Sequence, residues 1–271
     1  MSLIVQSKSM DSLTLSLVTA VFNRVSTLAD AINSVHMQNC DNFEYIVIDG
    51  MSNDGTDLVV SQNLKSINFA IREPDNGIYD ALNKGIKSAK GNVIGFLHAD
   101  DFLARPDALD LVNSAFEQYD CDAVYGDLVY VDAENPNRII RYWKSGDYDR
   151  RRFRTGWMPP HPTVYIKREI YEKYGRYRTD LGSAADYECM VRLMYKHQIK
   201  VKYIPEVLVK MRVGGESNAS IKNRLNANRD DRQAWIENGL NPPWGLRFTK
   251  PLRKIPQYFL KPPKSQFETT P

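Results

Sequence analysis

Two adjacent carboxylates, Asp100 and Asp101, end an apolar stretch of the sequence, GFLHADDFL at residues 95–103. Neighbouring carboxylates repel each other, so a cation is expected to offset the cost of placing them together. Successive side chains of a strand point to opposite faces, so the pair cannot hold one ion in that conformation. If the strand ends in a turn, one carboxylate can bind a divalent cation while the other accepts hydrogen bonds from a ribose. The alternative is that Asp101 caps a helix that begins near Pro106.

The ligand type and the missing phosphate loops together indicate a nucleotide diphosphate. Oxygen ligands favour Mg²⁺ or Mn²⁺ over zinc, and an ion with few protein ligands takes the rest from phosphates and water. Neither G-x-G-x-x-G nor G-x-x-x-x-G-K-[ST] follows the first predicted strand. The phosphates are therefore not expected at a helix N-terminus, as they are in dehydrogenases and P-loop enzymes, and a metal is left to neutralise them.

The elements that must position these groups alternate regularly through the first half of the chain. Ser26 is predicted to cap a helix with an apolar face at Leu28, Ile32 and Val35. A second helix, GIYDALNKGIKSAKG, is predicted to end at Gly91. This alternation predicts parallel βαβ units with right-handed crossovers. The predicted strands are LTLSLVTAVF, FEYIVIDG, INFAIRE and NVIGFLH.

Ligands of open parallel sheets bind beyond the carboxyl ends of the strands. Polar residues are therefore expected to meet at one rim of the sheet, from residues 19–23, 49–54, 73–80 and 98–101.

The pattern changes after about Asp107, where AVYGDLVYVD and NRIIRYW are predicted to form an antiparallel pair. Helices are predicted at Arg168–Tyr174, at Ala185–His197 and from about Asn218, and two strands at VKYIP and VLVKMRV. The whole chain thus reads as an α/β protein.

Composition places the chain among ordinary globular proteins. It has 271 residues and a mass of 31.1 kDa, with 42% hydrophobic and 25% charged residues. The net charge of +3 is too small to indicate nucleic acid as a partner. The three cysteines have no metal-type spacing and are expected to be reduced thiols of a cytoplasmic protein. No signal peptide and no membrane span are expected, so contact with a membrane would be peripheral.

Five motifs in order resemble the family-two inverting glycosyltransferases of the GT-A fold: TAVFNR, VIDGMSNDGT, EPDNGIYDALNKGI, FLHADD and ADYECMVRL. The resemblance covers about residues 13–215. It implies a Rossmann-like nucleotide-diphospho-sugar transferase fold, with a mostly parallel central sheet, helices on both faces and a small antiparallel part. It also implies a nucleotide diphosphate-sugar donor and Mg²⁺ or Mn²⁺ as cofactor.

The resemblance also implies roles for individual residues. Asp186 matches the general base, Asp101 the metal ligand and Asp100 the acidic residue near the ribose. Nucleotide contacts are implied for Thr19 on the first strand, for Asp80 and for Asp49. Lys84 is a weaker candidate, because a charged helix face is usually just solvated.

The sequence departs from the family pattern after the second strand. Many members carry Asp-Asp there, and the second Asp meets the nucleotide base, whereas this chain has Asp49-Gly50. Asp49 either takes that role from a shifted position or base recognition differs. The GIYDALNKG segment is shared with a subgroup that acts on bacterial surface polysaccharides, which implies a glycan or lipid-linked glycan as acceptor.

Asp186 has a structural alternative. Inversion by direct displacement needs a carboxylate opposite the leaving diphosphate to accept the proton of the acceptor hydroxyl. Ser183-Ala-Ala-Asp186 also has the spacing of a capping box, in which the helix dipole would stabilise the carboxylate and weaken it as a base.

Four further features carry both a functional and a structural interpretation. His161 can meet acceptor or phosphate, or be a turn residue, and Asp127 can touch the sugar or end a strand. Gly214-Gly215 can admit backbone near the substrates or form a tight turn. The arginines at 150, 151, 152 and 154 can close on the diphosphate or form a solvated face.

We expect a catalytic domain at residues 1–240, with a nucleotide-binding half at about 13–106 and an acceptor half at about 107–240. Residues 241–271 form a basic, aromatic and Pro-containing extension with six Lys or Arg residues and one acidic residue, Glu268. It can rest on an anionic membrane surface, at the inner face of the cell membrane, or be a partly disordered tail, and its prolines argue against one continuous amphipathic helix. The alternatives to a glycosyltransferase are a sugar-nucleotidyltransferase and a non-catalytic module that binds nucleotide sugars or glycans.

Overall fold

The computed structural model describes residues 14–214 and 230–263. Its first half alternates strands and helices as predicted. In chain order it contains β1 (Leu15–Val21), α1 (Leu28–His36), β2 (Phe43–Asp49), α2 (Thr56–Gln62), β3 (Phe69–Arg72), α3 (Ile78–Ser88) and β4 (Val93–Phe96). The four strands are parallel and lie in the order β3-β2-β1-β4. All seven residues of β1 are buried, which explains why its sequence carries no charge.

The side chains of β1 alternate between two cores, one on each face of the sheet. Val18 packs with α3 on one face, and Leu17 packs with α1 and α4 on the other. The prediction of helices on both faces is therefore confirmed. The prediction that Ser26 caps α1 is wrong, because the helix begins at Leu28 after Thr27 and has no side-chain capping bond.

The second half adds mixed strands to the same sheet. Its elements are β5 (Phe102–Leu103), α4 (Ala108–Gln118), β6 (Ala123–Val131), β7 (Ile139–Trp143), β8 (Tyr165–Lys167), α5 (Arg168–Tyr174), α6 (Ala185–Met190), β9 (Val201–Arg212), a helix α7 at residues 230–237, and α8 (Leu246–Leu252). The described residues form one sheet of nine strands, and β6 and β7 are the predicted antiparallel pair.

The last strand differs from the prediction of two strands at VKYIP and VLVKMRV. β9 is continuous from Val201 to Arg212 and pairs parallel to β6, with register shifts around Asp127. Pro205 lies where this pairing is irregular, and it has no N–H to donate to the neighbouring strand. The strand therefore passes the proline without ending.

The helix predicted at Ala185–His197 is confirmed, although it changes pitch, since α6 continues as a π-helix over Val191–Lys196. A buried ion pair fixes it, because Arg192 donates through Nε to Glu188 Oε1 over 2.9 Å. Asn238, which directly follows α7, donates to the same oxygen over 3.0 Å. The predicted long helix from about Asn218 lies outside the described residues up to 229, and α7 is its described part.

The segment after residue 240 contacts the preceding part of the chain through Leu246 and Lys250. Leu246 joins the same core as Trp235, and Lys250 forms an ion pair of 2.6 Å with Asp231. The prediction that this segment does not form one continuous helix is confirmed. Helix α8 ends at Leu252, and a separate 3₁₀ turn follows at Ile255–Tyr258.

Candidate active site

The loops that follow β1 and β2 are joined by hydrogen bonds at the carboxyl rim of the sheet. Asn23 donates its backbone N–H to Ser52 Oγ over 2.9 Å, and its Oδ1 accepts from the N–H of Asn53 over 2.9 Å. Both Asn23 and Met51 have positive φ angles, of 51° and 66°. Non-glycine residues seldom adopt this conformation, so the rim is a fixed surface rather than a loose pair of loops.

The Asp100–Asp101 pair sits where β4 ends in a turn, because the N–H of Asp101 bonds to His98 O over 3.0 Å. Asp101 is 1% exposed, and its Oδ1 accepts a bond of 3.3 Å from the N–H of Arg212. The guanidinium of Arg212 donates to the carbonyl of Asp100 over 2.9 Å. Arg212 therefore brings a positive charge next to the pair, although its ion pair is with Asp30. The suggested capping by Asp101 is wrong, because α4 begins after Asp107 without a side-chain capping bond.

Asp101 has the property expected of a metal ligand. Its Oδ2 is buried and has no hydrogen-bond partner among the described residues. Burial, together with the charge of Asp100, raises the pKa of Asp101 well above its usual range, against the opposing charge of Arg212. Within residues 14–214 and 230–263, three or more His, Cys, Asp or Glu side chains do not group around a possible ion. The residues therefore fit an ion that takes one protein carboxylate and completes its shell with phosphates and water.

Asp49 lies at the rim with both carboxylate oxygens occupied. Oδ1 accepts from the N–H of Ser52 over 2.9 Å and from its hydroxyl over 2.6 Å, and Oδ2 accepts from Arg72 Nε over 3.1 Å. The carboxylate therefore shapes the loop after β2. Its predicted contact with the nucleotide stays a prediction.

Thr19 is fully buried in β1, and its hydroxyl shares a hydrogen bond of 3.0 Å with the hydroxyl of Tyr45. This side chain points into the core between β1 and β2 rather than to the rim. A nucleotide contact by Thr19 would have to use its backbone.

The loop before α3 approaches the rim at Gly50. A Cβ added to Gly50 would overlap Oδ2 of Asp75 and lie 3.0 Å from its Cγ, so the Asp75 carboxylate occupies the space of a side chain at position 50. The Asp75 Oδ1 accepts from the N–H of Gly77 over 2.9 Å. Nearby, Asp80 accepts from the N–H of Asn76 over 3.0 Å.

Lys84 binds Glu73 over 3.1 Å and Asp80 over 3.7 Å. Both ion pairs are local to α3 and the loop before it, so the contacts of Lys84 favour a structural role over a nucleotide contact.

Asp186 occupies the first turn of α6 and is partly buried. Burial raises its pKa to about 6, against the opposing charge of Lys250. The capping-box alternative is not supported, because the helix begins after Ala184 without a side-chain capping bond. Asp186 Oδ1 accepts the adjacent N–H of Tyr187 over 2.6 Å. A carboxylate with a pKa near neutrality is a stronger base than a capping one.

Aromatic rings connect the two ends of the site. Tyr79, on α3, lies close enough to Asp186 that this charge adds to burial in raising the Tyr79 pKa. Tyr79 contacts Tyr177 at 5.6 Å between ring centroids, Tyr177 contacts His161 at 5.5 Å, and His161 contacts His98 at 5.8 Å. We call Tyr79, Tyr177, His161 and His98 the aromatic wall. Because His98 lies just before the aspartate pair in the chain, the wall runs from Asp101 toward Asp186.

His161 belongs to that wall and also begins a 3₁₀ turn at His161–Thr163, so its interpretation as a turn residue is confirmed. It is buried, and its Nε2 shares a hydrogen bond of 2.7 Å with the Tyr177 hydroxyl. Burial, with a smaller contribution from His98, lowers the pKa of His161 to about 3, so the imidazole is neutral at physiological pH. It supports the wall and does not carry a charge to a phosphate.

Asp127 lies in the middle of β6 and does not end the strand. It accepts bonds from Tyr142, from the N–H of Ser145 over 2.8 Å and from Tyr203 over 2.8 Å, in a buried structural network.

The cluster of four arginines has structural partners. The Arg150 Nε donates to the carbonyl of Tyr195 over 2.7 Å, and Arg154 donates to the hydroxyl of the same tyrosine over 3.5 Å. Arg151 pairs with Asp149 over 2.9 Å, and Arg152 lies over the Trp157 ring. The structure thus favours a role in the 3₁₀ turn at Arg150–Thr155 over closure on a diphosphate. Gly214 has a φ of +104°, as a tight turn requires, and Gly215 lies outside the described residues.

Sequence reasoning did not identify Arg212, Lys250, Asp75 or Tyr79 as parts of the site. Arg212 is distant in the chain from Asp100, and Lys250 is distant from Asp186, and no sequence motif links either pair. Asp75 could have been suspected, because Gly50 leaves a gap in the family pattern that a neighbouring loop can fill.

Comparison with known proteins defines the class. The fold resembles residues 1–349 of TarS from S. aureus in complex with UDP-GlcNAc, with a TM-score of 0.65, 16% identity, and coverage of 83% of this chain and 66% of that one. It also resembles the mannosyltransferase PcManGT from Pyrobaculum calidifontis in complex with GDP-Man and Mn²⁺, with a TM-score of 0.62, 18% identity, and coverage of 89% and 69%. These are GT-A glycosyltransferases, and the architecture described above is the GT-A fold.

The chain belongs to glycosyl transferase family 2, whose profile matches residues 16–175. A "PGL/p-HBAD biosynthesis glycosyltransferase" of Mycobacterium bovis is 28% identical over 211 residues, which are 76% of this chain and 80% of that protein. An uncharacterized glycosyltransferase of Mycobacterium tuberculosis is 31% identical over 181 residues, 66% of this chain and 68% of that protein. The expected family and the glycosyltransferase class are confirmed. None of the described helices has the length and apolar content that crossing a membrane requires.

Proposed function

We propose that this glycosyltransferase moves a hexosyl group, with inversion and with Mg²⁺ or Mn²⁺, from a nucleotide diphosphate-sugar to a hydroxyl of a glycan or lipid-linked glycan. The observation that carries the proposal is that two carboxylates lie in different surroundings, which suit two different roles. Asp101 is buried with an unpartnered oxygen at the donor rim, whereas Asp186 has a pKa of about 6 at the far end of an aromatic wall. The complexes of TarS with UDP-GlcNAc and of PcManGT with GDP-Man and Mn²⁺ support the donor class and the metal.

The proposed reaction is a single displacement. A divalent cation held by Asp101 would neutralise charge on the diphosphate. Asp186 accepts the proton of the acceptor hydroxyl while that oxygen bonds to the anomeric carbon and the bond from this carbon to the diphosphate oxygen breaks. The electron pair of the broken bond leaves with the nucleoside diphosphate. Asp100, at the turn beside Asp101, is placed to accept hydrogen bonds from the ribose.

The two alternative functions are less well supported. A sugar-nucleotidyltransferase would need a glycine-rich and basic phosphate loop after β1, and the loop after β1 is instead bonded to the loop after β2. A module that only binds sugars does not require a base, so it would not explain the raised pKa of Asp186.

Base recognition is proposed to involve Asp75 as well as Asp49. The Asp49 carboxylate already accepts three hydrogen bonds, from Ser52 and Arg72. Asp75 brings a carboxylate to the space beside Gly50, where many family members have an aspartate side chain. Its Oδ2 is therefore the better candidate to accept an N–H of the base.

A carboxylate exchange tests this role. Asp75→Gly is expected to lose a charge-assisted hydrogen bond of about 1.5–3 kcal/mol, which is roughly 10- to 100-fold in affinity for UDP or GDP. The double change Gly50→Asp with Asp75→Gly should recover most of it, because Gly50 has no positive φ and accepts a side chain once Asp75 is removed. Calorimetric titration measures both. If Asp75→Gly binds within twofold of the wild type, Asp75 does not contact the base.

The acceptor and the location complete the proposal. Membership of the polysaccharide type of family 2 supports a carbohydrate acceptor. Three buried free cysteines are consistent with a reducing compartment, and we propose a cytoplasmic protein that contacts the inner face of the cell membrane through residues 241–271.

A panel of nucleoside diphosphates tests the donor class. UDP, GDP, CDP, ADP and dTDP are compared by the melting temperature of the protein with and without Mn²⁺. A ligand at 100 times its Kd is expected to add about 2.7 kcal/mol of stability. At least one should stabilise the protein only in the presence of the metal. A protein that no member stabilises is not a nucleotide-sugar enzyme.

A further inference from the structure

The extension carries a row of apolar side chains that the protein leaves exposed. Phe248, Leu252, Ile255 and Phe259 follow one another at intervals of four, three and four residues, so they share one side of α8 and the 3₁₀ turn after it. All four are exposed, Phe259 by 80%, and Trp244 just before α8 is 96% exposed. We call these four residues with Trp244 the apolar stripe. Side chains of this size seldom stay in water as a group unless they meet a partner.

The charge around the stripe has one sign. Residues 241–263 contain five basic residues and no acidic one, and three of the basic residues, Arg247, Lys254 and Lys261, are exposed. Arg247 lies over the ring of Phe248, with 4.8 Å between its guanidinium carbon and the ring centroid. Aromatic and aliphatic side chains mixed with Lys and Arg are the composition of surfaces that lie in the interface of an anionic bilayer.

The opposite side of the extension fixes its position next to the candidate base. Leu246 is buried, and Lys250 reaches Asp231 over 2.6 Å and lies 4.1 Å from the ring centroid of Tyr187. Arg253 donates to Thr155 Oγ1 over 2.8 Å. Tyr187 follows Asp186 in α6, so the stripe belongs to a segment anchored beside the acceptor end of the site.

We infer that the apolar stripe binds an anionic lipid bilayer and holds the Asp186 side of the site near its surface. The acceptor would then be one that the membrane carries. Both points rest on the proposed function and specify it, by naming the residues and the lipid charge that the membrane contact would use. A second copy of the chain is a poorer occupant, because a two-fold contact through this surface would bring two sets of positive charges together.

Point substitutions test the surface better than a deletion, which would remove Leu246 from the core and Lys250 from Asp231. The triple variant Trp244→Ser, Phe248→Ser, Phe259→Ser changes only exposed side chains. The matched control is Leu58→Ser with Leu64→Ser, two exposed apolar residues elsewhere. Each protein is sedimented with phosphatidylcholine vesicles, with and without phosphatidylglycerol.

The wild type and the control are expected to bind vesicles that contain phosphatidylglycerol and to be released at about 0.5 M salt. The triple variant should bind at least about tenfold more weakly, with an unchanged circular dichroism spectrum and unchanged affinity for the nucleoside diphosphate. Equal binding by the triple variant and the wild type overturns the inference, as does a wild type that ignores the vesicles. A wild-type dimer that the triple variant separates in analytical ultracentrifugation also overturns it. None of these results changes the test of the donor class.

Discussion

Asp186→Asn is expected to lower the rate of sugar transfer by roughly 10²- to 10⁴-fold, the usual cost of removing a general base. Asparagine keeps the shape of the side chain and can still accept the N–H of Tyr187, which Asp186 accepts over 2.6 Å. It loses the ability to take the acceptor proton. The release of nucleoside diphosphate from the nucleotide sugar, in the presence of membrane lipids as acceptor, measures the change.

The pH dependence of the wild type provides a second measurement of the same residue. Burial raises the pKa of Asp186 to about 6, and a base must be ionised to accept a proton. The transfer rate should therefore fall as the pH decreases through about 6, and this limb of the profile should be absent from the residual rate of Asp186→Asn.

The controls for Asp186 are binding and stability. The affinity for the nucleoside diphosphate should not change, because the base acts on the far side of the anomeric carbon from the diphosphate. A role in capping would instead change stability by about 1 kcal/mol and leave turnover nearly normal. Turnover within a few-fold of the wild type would show that Asp186 is not the base.

Asp101→Asn is expected to abolish the Mn²⁺-dependent stabilisation by a nucleoside diphosphate, with a loss of metal affinity of at least about 100-fold. Asp101 is the carboxylate that we propose as the metal ligand, and its Oδ2 is buried without a hydrogen-bond partner among the described residues. Asparagine is a poor ligand for a hard cation compared with a carboxylate. Titration of the nucleoside diphosphate, with Mn²⁺ and after chelation, measures the effect.

The fold of this variant should survive. Asp101 is buried with an oxygen that has no partner among the described residues, and a neutral amide of the same size removes the repulsion by Asp100. Glu117→Gln, on the exposed side of α4, is the control for loss of a carboxylate. Asp100→Ala should reduce affinity less than Asp101→Asn, since its proposed partner is a neutral hydroxyl. Unchanged nucleotide affinity after both chelation and Asp101→Asn would exclude the metal site.

The parts of the fold that local patterns control were predictable. Strands β1 and β4 could be predicted because they are uncharged runs, and β2 because its buried centre is the apolar run YIVI. Their parallel order follows from the helices between them. The start of α1 was not predictable, because Ser26 and Thr27 are both capping types and only tertiary packing decides between them. The single strand β9 was missed because a proline breaks its pattern, although pairing with β6 carries the chain past it.

Some residues of the candidate site could also be predicted from local patterns, and others could not. Asp100, Asp101 and Asp186 could be located because they stand in short motifs at the ends of elements. Arg212 could not, because it reaches Asp100 across 112 residues of sequence. The position of the Thr19 side chain depends on which face of β1 it lies on, and the buried Tyr45 decides that.

The most direct test of sugar transfer is the ³¹P NMR spectrum of a reaction that contains the wild type, Mn²⁺, membrane lipids and the nucleotide sugar whose diphosphate stabilises the protein best. Transfer predicts that the diphosphate diester resonances of the donor disappear and that the terminal phosphate of a nucleoside diphosphate appears in equal amount. Asp186→Asn should leave the donor intact over the same time. Formation of a nucleoside triphosphate after addition of pyrophosphate, or a donor spectrum that the wild type never changes, would contradict the proposed function.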